Sequence, residues 1–139
     1  MNYLNSRQII EASKKSEKTE LMMFYISDAL LDMRFQVNLR GFVYVKKAIF
    51  LYIETPLVDS FVMDIYKKIA EEYVTTPSSV ERAIRYAIES AWYKGGINCQ
   101  HELFKRSSLK SDLHPTNSEF IATMAELINV KMKKDSLKV

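Results

Sequence analysis

The stretch "FVMDIYKKIAEEY" (61–73) sets the terms for the whole chain. Phe61, Ile65, Ile69 and Tyr73 recur every fourth position, with Lys67, Lys68, Glu71 and Glu72 between them. A backbone turning every 3.6 residues gathers such a row into one apolar stripe and leaves the charges on the other side. Val80 follows ten residues after Ala70, and Ile84 four later, across the break "VTTPSS". This is the apolar spacing of a helix-turn-helix. A small Ala70 lets two backbones cross at a steep angle, and Val80 and Ile84 plug the second helix into a core. Thr76 suits the N-cap of that helix, with Pro77 at the first helical position, where a missing N–H costs nothing. Ser78 with Glu81 as its box partner is the alternative cap. Val74 stands in the turn, where glycine is common.

The remainder predicts more helices. "LMMFYISDALLDM" (21–33) places Met23, Ile26, Leu30 and Met33 at helical spacing, and residues 1–20 read as a polar arm, helical or flexible. Gly41 punctuates the chain before "FVYVKKAIFLYIE". That segment has strand-like composition, but Val43, Ala48, Leu51 and Tyr52, with Lys46 and Lys47 between, favour a helix. Thr55-Pro56 ends it. The second helix of the pair runs over about 77–94 to Gly95-Gly96, "NCQHELF" is a candidate short helix, and 105–114 is a polar loop. Thr116 and Glu119 form a capping box that opens a last helix bearing Phe120, Met124 and Leu127 and ending in a lysine-rich tail. Only three glycines and three prolines punctuate 139 residues, as long helices require. The expectation is one all-α domain over 21–139, of about six helices, preceded by the 1–20 arm.

Several classes of function find no support. One cysteine, Cys99, allows no internal disulfide and suits a reducing, cytoplasmic setting. The longest apolar runs, such as "AIFLYI", are too short to span a bilayer. Cys99, His101 and His114 lack metal-ligand spacing, and no phosphate-binding loop, nucleophile elbow or zinc-protease motif is present. Glu71 and Glu72 sit on a solvated helix face. The chain reads as no enzyme, without cofactor or metal. A net charge of +3 permits a polyanionic partner without demanding one.

The wheel of the second helix separates two faces. Val80, Ile84, Ala87, Ile88 and Ala91 share one side, with Trp92 at its edge. Ser78, Arg82, Arg85 and Glu89 share the other, flanked by Ser79, Tyr86 and Glu81. Hydroxyls and arginines crowd the N-terminal half, which a recognition helix pushes into the major groove. The arginine fork matches guanine O6 and N7, and glutamate accepts from cytosine N4. The plainer reading is a solvent face laced by the i,i+4 pairs Glu81–Arg85 and Arg85–Glu89.

"VERAIR" (80–85), "AIE" (87–89), "AW" (91–92) and "PTNSEFIA" (115–122) resemble the effector domain of the stage 0 sporulation protein A family, response regulators of spore-forming bacteria. "RGFVYVKKAI" (40–49) and "DIYKKIAEEYVTT" (64–76) extend the likeness, which runs from about Ile26 to Met132. The resemblance implies an all-α, six-helix, winged-helix-like but wingless domain that binds a "TGNCGAA"-like box. It also implies base reading by Glu81, Arg82 and Arg85. Ser79 stands where the family carries an arginine, and Tyr86 where it carries a histidine. The family's receiver domain has no counterpart in these 139 residues, which reads as a stand-alone paralogue or an excised domain. In the segment that contacts sigma factor, Leu103 and Phe104 match, whereas Cys99, Gln100, His101 and 105–108 do not.

The expected function is therefore a cytoplasmic, sporulation-type transcriptional regulator bound to double-stranded DNA, with no membrane role. Ser78, Ser79, Tyr86, Lys94 and Lys105 are candidates for backbone or shoulder contacts. The resemblance admits tandem copies or a homodimer on DNA, and a sigma contact. The rival is a helical interaction module or competitor that modulates a full-length regulator or sigma without strong operator binding, which the departures at Ser79 and 99–108 favour.

Overall fold

The computed structural model describes residues 3–55, 61–94 and 114–138. Five α-helices account for them: α1 (Ser6–Asp32), α2 (Arg40–Glu54), α3 (Phe61–Glu72), α4 (Pro77–Lys94) and α5 (Asn117–Ser136), and no strand occurs among the described residues. The class is all-α. The short helix expected at "NCQHELF" lies outside the described residues.

The segment 40–54, strand-like in composition but read as helix by its spacing, is helical and central. α2 touches α1, α3, α4 and α5, and its broadest contact is with α4. Its buried row is Phe42, Tyr44, Val45, Ala48 and Ile49. The face read from the sequence was rotated: Val43 is exposed, and Leu51 and Tyr52 are only half-buried. The rotation follows from Gly41. It is no break between elements but lies in the first turn of α2, turned towards α4, which fixes the buried face by close approach rather than by hydrophobicity.

On α1, Met22, Ile26, Leu30 and Met33 are buried and Met23 is half-buried. The helix starts at an Asn5–Gln8 capping box, in which the Asn5 side chain accepts from the Gln8 N–H at 2.8 Å. It closes on Arg34, at φ 67°, with the Phe35 N–H donating to the Leu30 carbonyl at 3.1 Å. On α3, Ile65 and Ile69 are buried as the stripe requires, whereas Tyr73 falls just past the helix end and is exposed. α5 opens on the Thr116–Glu119 capping box and buries Phe120, Ile121, Met124, Ala125 and Ile128. One continuous core joins all five helices. None of the described helices is long and apolar enough to cross a membrane.

Candidate nucleic-acid interface

The turn between α3 and α4 is built by hydrogen bonds. The Tyr73 N–H donates to the Ile69 carbonyl at 3.0 Å and the Thr75 N–H to the Ala70 carbonyl at 2.9 Å. This six-to-one closure needs a left-handed residue between them, and Val74 supplies it at φ 52°. A β-branched side chain is strained there. The position read as a departure from glycine is thus the one residue of the turn with positive φ. Val74 points into solvent, 91% exposed.

Thr76 caps α4. Its Oγ1 accepts the Ser79 N–H at 3.1 Å, and its hydroxyl donates to Ser79 Oγ at 2.9 Å. The Thr76 carbonyl takes the first helical bond, from the Val80 N–H. Of the two caps open in the sequence, the structure uses Thr76, and Pro77 occupies the first helical position. Ser79 Oγ is consequently held against the cap.

Val80, Ile84, Ala87, Ile88, Ala91 and Trp92 bury the inner side of α4, so Trp92 belongs to the core rather than to its edge. Two devices fix this helix on its supports. The first is Gly41 of α2. A Cβ placed there would collide with the Ala83 carbonyl oxygen and come within 2.6 Å of Ala87 Cβ. The second is Asn117, at the start of α5. Its Nδ2 donates to Tyr66 Oη of α3 and to the Glu81 carbonyl of α4, both at 3.1 Å. One amide thereby ties three helices together. Burial, and to a lesser degree the nearby Glu81 carboxylate, push the Tyr66 pKa up, while the Asn117 hydrogen bond pulls it down. The phenol stays neutral and its oxygen accepts. Nothing in the residue types signalled this clasp, since "PTNSEF" already explained itself as a capping box.

The outer side carries the charged residues singled out in the sequence. Ser78, Ser79, Arg82, Arg85 and Tyr86 are exposed, and Glu81 and Glu89 are half-exposed. Arg82 forms no ion pair among the described residues. Arg85 Nε lies 3.7 Å from Glu81 Oε1, an exposed i,i+4 pair. Such a pair stabilises by only about 0.3–0.5 kcal/mol, so a competing anion displaces it easily. Glu89 turns instead to His114, whose Nε2 lies 3.3 Å away and whose Nδ1 faces the Pro115 carbonyl at 3.0 Å. Tyr93 packs edge-on against the same imidazole, at 5.9 Å between centroids. Lys94 ends α4, about 18 Å along the axis from Arg82 at 1.5 Å rise per residue. Leu103, Phe104 and Lys105 lie outside the described residues.

The structure adds one exposed cation that sequence reasoning missed. Arg40, the first residue of α2, lines a shallow cleft with Val43, Tyr44, Tyr73, Val74 and Thr75 beside the turn. The signal was present only as "LRGF", where the glycine drew the attention. Two helices packed at close approach, a capped and exposed N-terminal half and on it an arginine without an ion pair among the described residues are features that a groove-binding helix requires.

The family model described as "Sporulation initiation factor Spo0A C terminal" matches residues 26–128. The chain belongs to this family. The match takes in α2, α3 and α4 whole, α5 as far as Ile128 and the last turns of α1. The Spo0A C-terminal family comprises DNA-binding regulatory domains of sporulation, and this chain is a DNA-binding effector domain of that type. The part of α1 before Ile26 lies outside the match.

Proposed function

We propose that this domain is a transcriptional regulator that reads a "TGNCGAA"-like box by seating the N-terminal half of α4 in the major groove. Arg82 and Arg85 contact guanines, and Glu81 accepts from a cytosine N4 or orients Arg85. Ser78, Tyr86, Lys94 and Lys105 contact phosphates or sugar on the flanks, together with Arg40 beside the turn. Such contacts fix register without carrying sequence information. Ser79 lies at the same end, but its hydroxyl is held by Thr76, so its contribution is through the cap. A sigma contact through Leu103 and Phe104, and a cytoplasmic site of action, belong to the same proposal and rest on the sequence resemblance.

The observation that carries this reading is Arg82. It is exposed on a helix whose opposite face is clamped at Gly41 and Asn117, and no carboxylate among the described residues neutralises it. An exposed guanidinium that no described carboxylate holds is open to an anionic partner.

The test is Arg82→Ala in a gel-shift titration. Loss of a bidentate guanine contact costs about 1–3 kcal/mol on the box duplex, roughly a 5- to 150-fold weakening, with a much smaller effect on a scrambled duplex. Equal weakening on both would make Arg82 a phosphate contact and remove it from the reading set.

One observation favours the competitor reading as a second outcome. Ser79 is tied into the cap and offers no long side chain to DNA. A chain that occupies the same boxes with fewer contacts acts by exclusion rather than by activation.

A further inference from the structure

α1 has two apolar faces, and the core uses only one of them. Met22, Ile26 and Leu30 point inward. On the far side Ile10, Leu21, Phe24 and Leu31 are exposed, Phe24 by 66%, as is Ile9. On the helical wheel Ile10, Leu21, Phe24 and Leu31 fall on the side opposite Met22, Ile26 and Leu30, and Ile9 lies between the two. Residues 6–18 are exposed throughout, so the first three and a half turns draw no support from the core. A helix of that length on its own is marginal in water. Large exposed apolar residues on a face turned away from the core mark a site of association.

The charges on α1 identify the occupant. Residues 6–18 carry Arg7, Lys14, Lys15 and Lys18 against Glu11 and Glu17, net +2. Residues 19–32 carry Glu20, Asp28 and Asp32 and no basic residue, net −3. This order opposes the helix's own dipole, which favours anions at the start and cations at the end. There is no acidic residue in the first turn and no basic residue in the last. Local helix stability therefore does not explain the pattern. A partner helix running the other way does, because an antiparallel copy sets each positive half against a negative half. A parallel copy would set like against like.

We infer that α1 is a homodimerisation helix, pairing antiparallel with α1 of a second copy of this chain through Ile10, Leu21, Phe24 and Leu31. The interface is isologous, with one two-fold axis crossing the helix pair near its middle. The 27-residue helix is about 40 Å long, enough for a seam that runs from Ile10 to Leu31 and is interrupted by Lys14 and Glu17. The Arg7–Glu11 pair lies beside the stripe, and Asp28, on the stripe itself, is met at 3.9 Å by Lys131 of α5, an exposed pair that exchanges easily. The inference is independent of DNA reading, because it concerns a helix whose projecting part lies outside the family match.

The experiment measures mass in solution by light scattering and sedimentation across a concentration series of the full chain. The expected particle is about 32 kDa, twice the 16.2 kDa of one chain. Phe24→Glu gives a monomer with an unchanged core, whose melting stays cooperative and no longer depends on concentration. Reversing the positive half (K14E/K15E/K18E) also gives a monomer, and circular dichroism of that variant separates a lost interface from a weakened helix, since the reversal sets like charges at i,i+4. Adding E20K/D32K to that triple variant restores the dimer. A monomer at every concentration overturns the inference. So does a dimer indifferent to Phe24→Glu. A dimer indifferent to the charge reversals overturns the antiparallel arrangement. No DNA enters the measurement, so failure of the box-reading proposal leaves these outcomes unaffected.

Discussion

Replacing Gly41 with alanine pits two effects of opposite sign against each other at one methyl group. Within a helix, alanine is favoured over glycine by about 0.5–1 kcal/mol, because glycine loses more backbone entropy on folding. The structure sets a larger cost against this gain. The new Cβ meets the Ala83 carbonyl oxygen, comes 2.9 Å from its carbon and lies 2.6 Å from Ala87 Cβ. Non-bonded carbons rest at about 3.5–4.0 Å, so α4 would have to retreat by roughly 1 Å from α2. Two of the three close atoms belong to the α4 backbone, which cannot swing aside as a side chain would. Forced overpacking of this kind costs about 1–3 kcal/mol and sometimes more. With the upper part of that range and the propensity gain subtracted, Gly41→Ala destabilises by about 2 kcal/mol. For a domain of this size that lowers Tm by roughly 8 °C. Urea and thermal unfolding followed by circular dichroism give the number. Ala87→Gly in the same chain removes one of the three close atoms, so a double-mutant cycle should recover part of the loss but not all of it. A Gly41→Ala protein as stable as the parent, or more stable, would refute the close-approach argument and return Gly41 to the role of a mere punctuation residue.

Three further outcomes follow from the way α4 is held. Val74→Gly relieves a β-branched residue at φ 52° and should stabilise by about 1 kcal/mol in urea unfolding, although it removes a side chain. Thr76→Ala removes the acceptor for the Ser79 N–H and should cost about 1 kcal/mol, and it should weaken the specific DNA complex by loosening the first turn of α4. Asn117→Ala leaves Tyr66 Oη and the Glu81 carbonyl without their shared donor and should destabilise by about 1–3 kcal/mol, read by thermal melting.

What the sequence made legible, and what it hid, divides along a physical line. Periodicity reports which side of a helix is apolar, so the inner faces of α3 and α4 could be read directly, as could the Thr116–Glu119 capping box, whereas the Asn5–Gln8 box was not. Thr76 and Pro77 announced the start of α4 because cap chemistry is local. Close approach between helices is not local. Gly41 carries no side chain to pattern, and only the position of Ala83 and Ala87 across the interface reveals why it is there. Asn117 was hidden for a related reason, since its partners lie 51 and 36 residues away in the chain. The rotated face of α2 came from counting Val43 as apolar and inward, when the position of Gly41 directs it outward. Tyr73 matched the α3 stripe by spacing, but the helix ends before its side chain can join the core. At the candidate interface the Glu81–Arg85 pair was legible from its i,i+4 spacing, whereas the partner of Glu89 was not. Glu89 was a natural partner for Arg85 by spacing, and His114, brought in from the start of the last segment, claims it instead.

The most direct measurement of the central claim is a binding titration of the full chain against two duplexes of equal length at one fixed salt concentration. One duplex carries the "TGNCGAA"-like box and the other a scrambled sequence. If α4 reads base edges, the box duplex binds about a thousandfold or more tightly, and both affinities fall steeply as salt rises. Equal affinity for the two duplexes, whatever its strength, would contradict sequence reading by α4.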